Sequence, residues 1–213
     1  MSRILIVGGH GKVALLLAPL LAARGDEVTS LIRNPEHVPD IAQSGATPQI
    51  ADVESLDVDG LAALFAGHDA IVWSAGAGGG DPARTYAVDR DAAIRAMEAA
   101  LAAGPSRFVM VSYFGAGRDH GVDPGSSFFA YAEAKAAADA HLRGTALAWT
   151  ILQPSTLTLD EPTGRIDAHA VESRSVSRAD VAAVVAATLA ENATVGRSIR
   201  FNRGEVPIAE AIK

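Results

Sequence analysis

A tyrosine and a lysine stand four residues apart in a predicted helix, at Tyr131 and Lys135, and this spacing puts both side chains on one helix face. A free phenol, with a pKa of about 10, is a poor base at neutral pH. An ammonium group one turn away lowers that pKa and can also hold a ribose, so the pair suits proton transfer at a carbonyl oxygen during hydride chemistry. Ser112, at the end of a predicted strand, would polarise the same oxygen. The alternative is that Tyr131 is a packed helix residue.

A second motif, rich in glycine, follows an apolar run near the N-terminus. It reads Gly8-Gly9-His10-Gly11-Lys12-Val13-Ala14. The residues at 9, 11 and 14 fit the dinucleotide-binding spacing, with a strand before the motif and a helix after it. Small residues let backbone amides approach a pyrophosphate, and the helix N-terminus adds partial positive charge. The motif therefore predicts dinucleotide binding, with an ordinary tight turn as the alternative; His10 and Lys12 either add positive character or face water.

The choice between dinucleotides depends on the end of the second predicted strand. An acid at that point binds the ribose 2′-hydroxyl of NAD, but this chain has Arg33 and Asn34 there. An arginine can pair with a 2′-phosphate, and the asparagine can add a hydrogen bond. The sequence therefore favours NADP(H) over NAD(H), unless Arg33 is only a solvated surface residue.

The elements that must position these motifs alternate along the whole chain. Short β-rich runs are predicted at Ile4–Val7, Glu27–Arg33, Thr47–Val53, Ala70–Ala75, Arg107–Tyr113, Ala148–Gln153 and Arg197–Asn202. Longer helical stretches are predicted at Lys12–Arg24, Pro35–Ser44, Leu56–Ala66, Arg84–Ala103, Phe128–Arg143 and Arg178–Glu191. This alternation predicts an α/β, Rossmann-type doubly wound fold, with a mostly parallel sheet and helices on both faces.

Three irregular segments follow strands, at residues 76–85, 115–128 and 154–176. In an open parallel sheet the ligand crevice lies at the carboxyl ends of the strands, so these loops are candidates to form a small substrate cleft. We expect one NAD(P)-binding domain over residues 1–213, with the cleft formed by these loops.

Composition narrows the possible functions. The chain of 213 residues has no cysteine, which excludes disulfides, thiolate nucleophiles and thiolate metal sites, and its six histidines are scattered, so no metal is expected. A net charge of −7 argues against nucleic acid and anionic membranes as partners. No apolar stretch approaches the roughly 18 residues of a membrane span. We expect a cytoplasmic protein that binds a small-molecule substrate as a monomer or homodimer.

Several motifs occur together in a specific order. They are the Gly8–Ala14 loop, Arg33, Ala51-Asp52-Val53, Ser74-Ala75-Gly76, Val109-Met110-Val111-Ser112, Tyr131 to Lys135, and Ser177-Arg178-Ala179-Asp180-Val181-Ala182. In this order, over roughly Arg3 to Asn202, the chain resembles the atypical short-chain dehydrogenase/reductases, specifically the small NAD(P)H-binding proteins related to NAD-dependent epimerases/dehydratases.

The resemblance implies roles for further residues. Asp52 maps onto the family residue that contacts adenine, with Val53 beside it. The turn Ser74, Ala75 and Gly76 maps onto the small residues that line the cofactor. Gln153 and Pro154 map onto a cofactor-binding segment that usually reads Arg-Pro-Gly, and Lys135 would bind the cofactor as well as activate Tyr131.

Three functions remain open on these observations. The leading one is an NADP(H)-dependent oxidoreductase that transfers hydride to or from a small carbonyl, quinone or flavin-like compound. The second is a non-catalytic NADP(H)-binding sensor, and the third is an epimerase or isomerase that uses the cofactor transiently. Tyr131 and Lys135 favour an enzyme, whereas the altered segment at residues 153–155 and the short C-terminal region favour a sensor.

Overall fold

The protein, for which we have a computed structural model, is described over residues 1–105 and 107–213. Its strands are β1 (Arg3–Val7), β2 (Glu27–Ile32), β3 (Thr47–Ile50), β4 (Ala70–Trp73), β5 (Arg107–Val111), β6 (Ala148–Pro154), β7 (Thr156–Thr158), β8 (Arg165–Asp167), β9 (Ser175–Ser177), β10 (Arg197–Arg203) and β11 (Val206–Pro207). Its α-helices are α1 (Lys12–Ala23), α2 (Val38–Gln43), α3 (Val58–Phe65), α4 (Pro82–Thr85), α5 (Ala93–Ala103), α6 (Phe129–Arg143), α7 (Arg178–Ala190) and α8 (Ile208–Ala211). Over this part of the chain, no helix is both long and apolar enough to cross a membrane.

The central sheet is mostly parallel. Its strand order is β11-β8-β10-β6-β5-β4-β1-β2-β3. The seven neighbours from β10 to β3 in this order are parallel, and at the other edge β8 pairs antiparallel with both β10 and β11. The strand order reverses at β1, which pairs with β2 on one side and β4 on the other. A crevice forms at the carboxyl edge of such a switch point, and this is where the glycine-rich motif lies.

Alternate residues of the apolar strands point to opposite faces of the sheet, and each face has its own core. Ile4 and Ile6 pack in the core that includes residues of α1 and α7, whereas Leu5 and Val7 pack in the core that includes residues of α3, α5 and α6. Helices therefore cover both faces, and the predicted doubly wound Rossmann-type fold is confirmed.

The helix predicted over Arg84–Ala103 differs from expectation in two ways. It starts earlier, at Pro82 behind the cap Asp81, and it contains a π-helical segment at Tyr86–Ala92. Such segments concentrate at functional sites because the wider turn shifts the side chains that follow. In this protein the segment carries Asp89, whose side chain is 1% exposed.

The segment predicted as an irregular loop at residues 154–176 contains short strands instead. Strand β7 pairs with β9, and β8 pairs with β10 and β11. Strands β7, β8 and β9 are three residues long, which is too short for alternation to reveal them, although Ile166 and Val176 are buried. Asp180 fixes the segment from helix α7 by accepting hydrogen bonds from the backbone amides of Thr163 and Gly164.

Candidate cofactor and active site

The glycine-rich loop after β1 has no room for side chains at two positions. Gly8 has a φ of +82°, and a Cβ on it would lie 2.6 Å from the Cα of Ala75. A Cβ on Gly9 would lie 2.5 Å from the Cβ of Ser30. The loop therefore packs directly against β2 and the turn after β4, and only glycine permits this approach.

The third glycine of the loop begins helix α1. Gly11 is the N-cap residue, no side chain caps the helix there, and its own amide donates to the Gly8 carbonyl at 2.9 Å. Amides in the first helical turn are thus left to bind an anion, with the helix dipole adding to the attraction. This arrangement fits a pyrophosphate. Of the adjacent residues, Lys12 is exposed and Val13 is buried.

A cleft of about 320 Å³ opens over this loop, and we call it the cofactor cleft. Its lining includes most of the residues predicted to bind cofactor: Gly8, Gly9, His10, Gly11, Arg33, Asn34, Asp52, Val53, Ser74, Ala75 and Gly76. They come from the carboxyl ends of β1, β2, β3 and β4, which the fold brings side by side. Lys12, Val13, Lys135, Gln153 and Pro154 are not among its lining residues.

The charged residues of the cofactor cleft are linked to one another. Arg33 lies at the end of β2 and donates from Nη1 to Glu54 Oε1 at 2.9 Å. The same oxygen accepts from Nε and Nη2 of Arg84, each at 3.1 Å. Neither Glu54 nor Arg84 was predicted from the sequence. A second acid two residues after Asp52 was a visible signal, but no spacing rule places Arg84 in this cleft.

The remaining polar residues of the cleft have local partners. Asn34 accepts from the amide of Glu36 at 3.0 Å and so caps the short helix that follows. The His10 ring stacks on His37 with centroids 3.5 Å apart, and its Nε2 lies 2.8 Å from Asp40. These contacts orient the side chains in the cleft.

Lys135 projects from α6 into the protein interior rather than into the cofactor cleft. Its Nζ donates to the Val111 carbonyl at 3.1 Å and lies 3.4 Å from Asp89 Oδ1. The other oxygen of Asp89 accepts from the Ala77 amide at 2.9 Å. A buried ion pair therefore links α6 to the loop after β4, whose Gly76 lines the cofactor cleft.

Ser112 lies at the end of β5, as predicted, but its hydroxyl has a protein partner. It donates to Asp139 Oδ2 at 2.9 Å, and Gln153 Nε2 donates to the same oxygen at 3.2 Å. Asp139 follows Lys135 by one turn of α6 and is fully buried. The structure thus brings Ser112 and Gln153 together around a carboxylate that the sequence reasoning missed.

Tyr131 begins the polar face of α6 and lies near both carboxylates. Its ring centroid is 5.8 Å from Lys135 Nζ. Burial raises the pKa of the Tyr131 phenol; Lys135 lowers it, as the sequence predicts, but Asp89 and Asp139 raise it again, and the net direction is upward. Tyr131 is therefore a neutral phenol at physiological pH, which is the form that donates a proton.

Lys135 and Asp139, the buried ionisable groups of helix α6 near Tyr131, both have raised pKa values. Burial opposes the charged form of Lys135, but Tyr131, Asp89 and Asp139 together raise the pKa of its ammonium above the ordinary value. Burial raises the pKa of the Asp139 carboxyl, against the opposing effect of its hydrogen bond from Ser112 and of Lys135. The interior thus holds a charged lysine beside a carboxyl group whose pKa burial raises.

A second cleft, of about 290 Å³, lies beside Tyr131, and we call it the aromatic cleft. It is lined by Gly79, Gly80, Asp81, Pro82, Thr85, Ser127, Phe128, Ala130 and Tyr131. Two of the predicted loops, 76–85 and 115–128, therefore meet there. The Tyr113 ring lies 5.2 Å from Phe128 and 5.4 Å from Tyr131, and burial raises the pKa of its hydroxyl to about 12.

The switch-point cleft, its glycine cradle and the uncapped helix N-terminus define a Rossmann-type dinucleotide-binding protein. A family model described as NAD(P)H-binding matches residues 8–192, and the chain belongs to this family. The match spans the glycine loop, both clefts and helix α7. The family binds nicotinamide cofactors, and its description covers NAD and NADP alike.

Relatives over the full length agree with this assignment. The chain is 33% identical over 214 residues to the uncharacterised sugar epimerase YhfK of Bacillus subtilis (strain 168), covering 99% of each chain. A structure from Bacillus halodurans, provisionally described as an NAD-dependent epimerase/dehydratase, shares 32% identity with a TM-score of 0.91 over 100% of this chain and 99% of its own. The oxidoreductase ylbE from Lactococcus lactis shares 29% identity with a TM-score of 0.88, covering 99% and 94%. The predicted resemblance to small NAD(P)H-binding proteins related to NAD-dependent epimerases/dehydratases is confirmed, and the family is oxidoreductase-like.

Proposed function

We propose that the protein is an NADP(H)-dependent oxidoreductase that reduces a small carbonyl, quinone or flavin-like acceptor. The observation that carries the proposal is the pair of clefts on either side of one segment. Ser74, Ala75 and Gly76 line the cofactor cleft, and Gly79 to Pro82 line the aromatic cleft. A dinucleotide on the glycine loop would thus end beside the cleft that contains Tyr131.

The cofactor cleft supplies the binding chemistry. The uncapped N-terminus of α1 fits the pyrophosphate, and Arg33 offers a guanidinium for the 2′-phosphate of NADP. When bound, the reduced nicotinamide supplies a hydride. The preference for NADP rests on Arg33 and is part of this proposal.

The aromatic cleft supplies the acceptor site and the proton. Phe128 and Tyr131 present ring surfaces that suit a flat, largely apolar acceptor. Because Tyr131 stays protonated at physiological pH, its phenol can donate to an acceptor oxygen that gains a hydride. Hydride and proton together convert a carbonyl to an alcohol or a quinone to a hydroquinone. This protonation state favours the reductive direction.

One observation favours the second function, a cofactor-binding sensor. The Ser112 hydroxyl donates to Asp139, and the Lys135 ammonium binds Val111 and Asp89, so both groups are engaged within the protein. With these two donors engaged, a chain that keeps the cofactor cleft and in which Tyr131 alone does not suffice for proton transfer would bind NADP(H) without turnover.

Consumption of NADPH with a panel of quinones, aldehydes and flavins separates the two functions. We expect oxidation by at least one class of acceptor. The matched variant Tyr131→Phe keeps the ring in the aromatic cleft and removes only the hydroxyl. Tight NADPH binding with no oxidation by any acceptor would instead support the sensor.

A further inference from the structure

The cofactor cleft contains a carboxylate that already binds both of its arginines. Glu54 Oε1 accepts one hydrogen bond from Arg33 and two from Arg84, at 2.9 to 3.1 Å. The side chains of Arg33, Arg84 and Glu54 are 56%, 36% and 25% exposed, so a ligand in the cleft can reach all three. They come from the end of β2, from α4 and from the turn after β3.

The shared contact sets two guanidinium groups against one carboxylate oxygen. Arg33, Arg84 and Glu54 sum to a charge of +1, and Asp52, which also lines the cleft, brings the sum to zero. The other acid nearby, Asp52, accepts from the Glu54 amide at 3.0 Å and so holds the turn that carries Glu54. An anion that displaces Glu54 would therefore find both arginines together.

The Arg84 guanidinium is held in a fixed orientation. Its Nη1 donates to the Ala77 carbonyl at 2.7 Å, while its Nε and Nη2 point to Glu54. The Nε–Nη2 edge is one that binds carboxylate or phosphate in a bidentate manner. A phosphate in place of the Glu54 carboxylate would meet donors that are already aligned.

We propose that Arg84 is a second determinant of specificity for the 2′-phosphate, and that Glu54 is an internal competitor that this phosphate displaces. The inference rests on the proposed preference for NADP(H). A 2′-hydroxyl carries no charge with which to displace a carboxylate, but it can donate a hydrogen bond to Glu54. The same carboxylate therefore opposes NADP and accommodates NAD, and specificity is the difference between these effects.

If Glu54 only held the ion-pair network together, its removal would weaken nucleotide binding. As a competitor of the 2′-phosphate, its removal should strengthen NADPH binding. Glu54→Gln removes the competing charge and frees both arginines, so it strengthens NADPH binding by about fivefold, the scale of one partly exposed ion pair. NADH binding stays the same or weakens. Arg84→Gln weakens NADPH binding by about tenfold, because it removes one charge-assisted bidentate contact. Its affinity for NADH stays within about twofold of that of the native protein.

The test is titration calorimetry of the native protein and variants with NADPH and NADH. Adenosine 2′,5′-bisphosphate and adenosine 5′-phosphate serve as second probes, because they differ only in the 2′-phosphate. Arg90→Gln is the matched control: Arg90 follows α4 closely, pairs with Asp91 and is not among the lining residues of the cofactor cleft. If Glu54→Gln does not fold, Glu54→Asp replaces it, because the shorter carboxylate cannot retain all three bonds.

Different results would overturn the proposed preference for NADP(H) and the roles proposed for Arg84 and Glu54. Equal affinity of the native protein for NADPH and NADH overturns the proposed preference itself. A native preference for NADPH that neither Arg84→Gln nor the Glu54 variant alters overturns this inference alone. Weaker binding of both nucleotides in Glu54→Gln also overturns it, because Glu54 would then support the site. A change in the ratio for the Arg84 and Glu54 variants, in opposite directions and absent in Arg90→Gln, supports it.

Discussion

Replacing Lys135 by methionine isolates the charge that this residue brings to the protein interior. Methionine keeps most of the apolar volume of the side chain, so no large cavity opens. The substitution leaves the Asp89 carboxylate, 1% exposed, without its ion-pair partner at 3.4 Å. Removing one partner of a buried pair costs about 3–5 kcal/mol, and we expect a loss in this range in the free energy of unfolding at pH 7.

At pH 7 the charge of Lys135 contributes its full stabilisation to the folded protein. The pKa of Lys135 is raised in the folded protein, from an ordinary value of 10.5, so its stabilising charge is fully present below that pH. The stabilisation is lost only as the pH rises through the folded pKa. Urea unfolding at pH 7, followed by far-ultraviolet circular dichroism, therefore measures the whole effect.

A double-variant cycle distinguishes this explanation from lost packing. Asp89→Asn removes the carboxylate charge while its amide oxygen can still accept from the Ala77 amide. Combined with Lys135→Met, it should recover about 1–3 kcal/mol relative to the sum of the single variants. A loss below about 1 kcal/mol for Lys135→Met, or strict additivity in the cycle, would refute the ion-pair explanation.

Three further predictions concern binding, catalysis and pH. Gly11→Val has an allowed φ of −64°, but its Cβ would lie 3.1 Å from the Gly8 carbonyl oxygen, so circular dichroism must first show the native fold. In the folded variant the side chain fills the pyrophosphate cradle, so calorimetry should show NADPH binding lost; native affinity would contradict the loop assignment. Tyr131→Phe should lower turnover by about 10²–10⁴ with little change in NADPH affinity, and full steady-state activity would reject its role as proton donor. Burial raises the pKa of Asp139 above its ordinary value of 3.8, so the folded state holds the proton more tightly than the unfolded state. The unfolding free energy should therefore fall as the pH rises from 3.8 to the folded pKa. Asp139→Asn should remove this fall in urea titrations, and an unchanged pH profile would contradict the explanation.

The sequence predicts the scaffold well because the central strands are buried on both faces. Continuous apolar runs such as Ile4–Val7 need no tertiary information to be recognised. The cofactor cleft follows from the same reasoning, since the carboxyl ends of neighbouring parallel strands must meet. Gly8 and Arg33, which the spacing predicts as cofactor-binding residues, both line that cleft, and their binding of the cofactor stays a prediction.

The contacts that tune the site could not be predicted from spacing. Glu54 and Arg84 are thirty residues apart and meet only because α4 folds back over the turn after β3. Asp89 lies buried in a π-helical segment, and no local pattern in the sequence marks that segment. Asp139 reads as an ordinary polar residue of α6 until β5 and β6 bring Ser112 and Gln153 against it.

The central claim is that nucleotide bound in the cofactor cleft reduces an acceptor in the aromatic cleft. The most direct measurement is single-turnover oxidation of protein-bound NADPH after rapid mixing with a quinone, aldehyde or flavin, with protein in excess over nucleotide. We predict that the absorbance of the reduced nicotinamide is lost in a first-order phase in the native protein, and that Gly11→Val shows no such phase. NADPH that stays bound and reduced in the presence of every acceptor would contradict the claim.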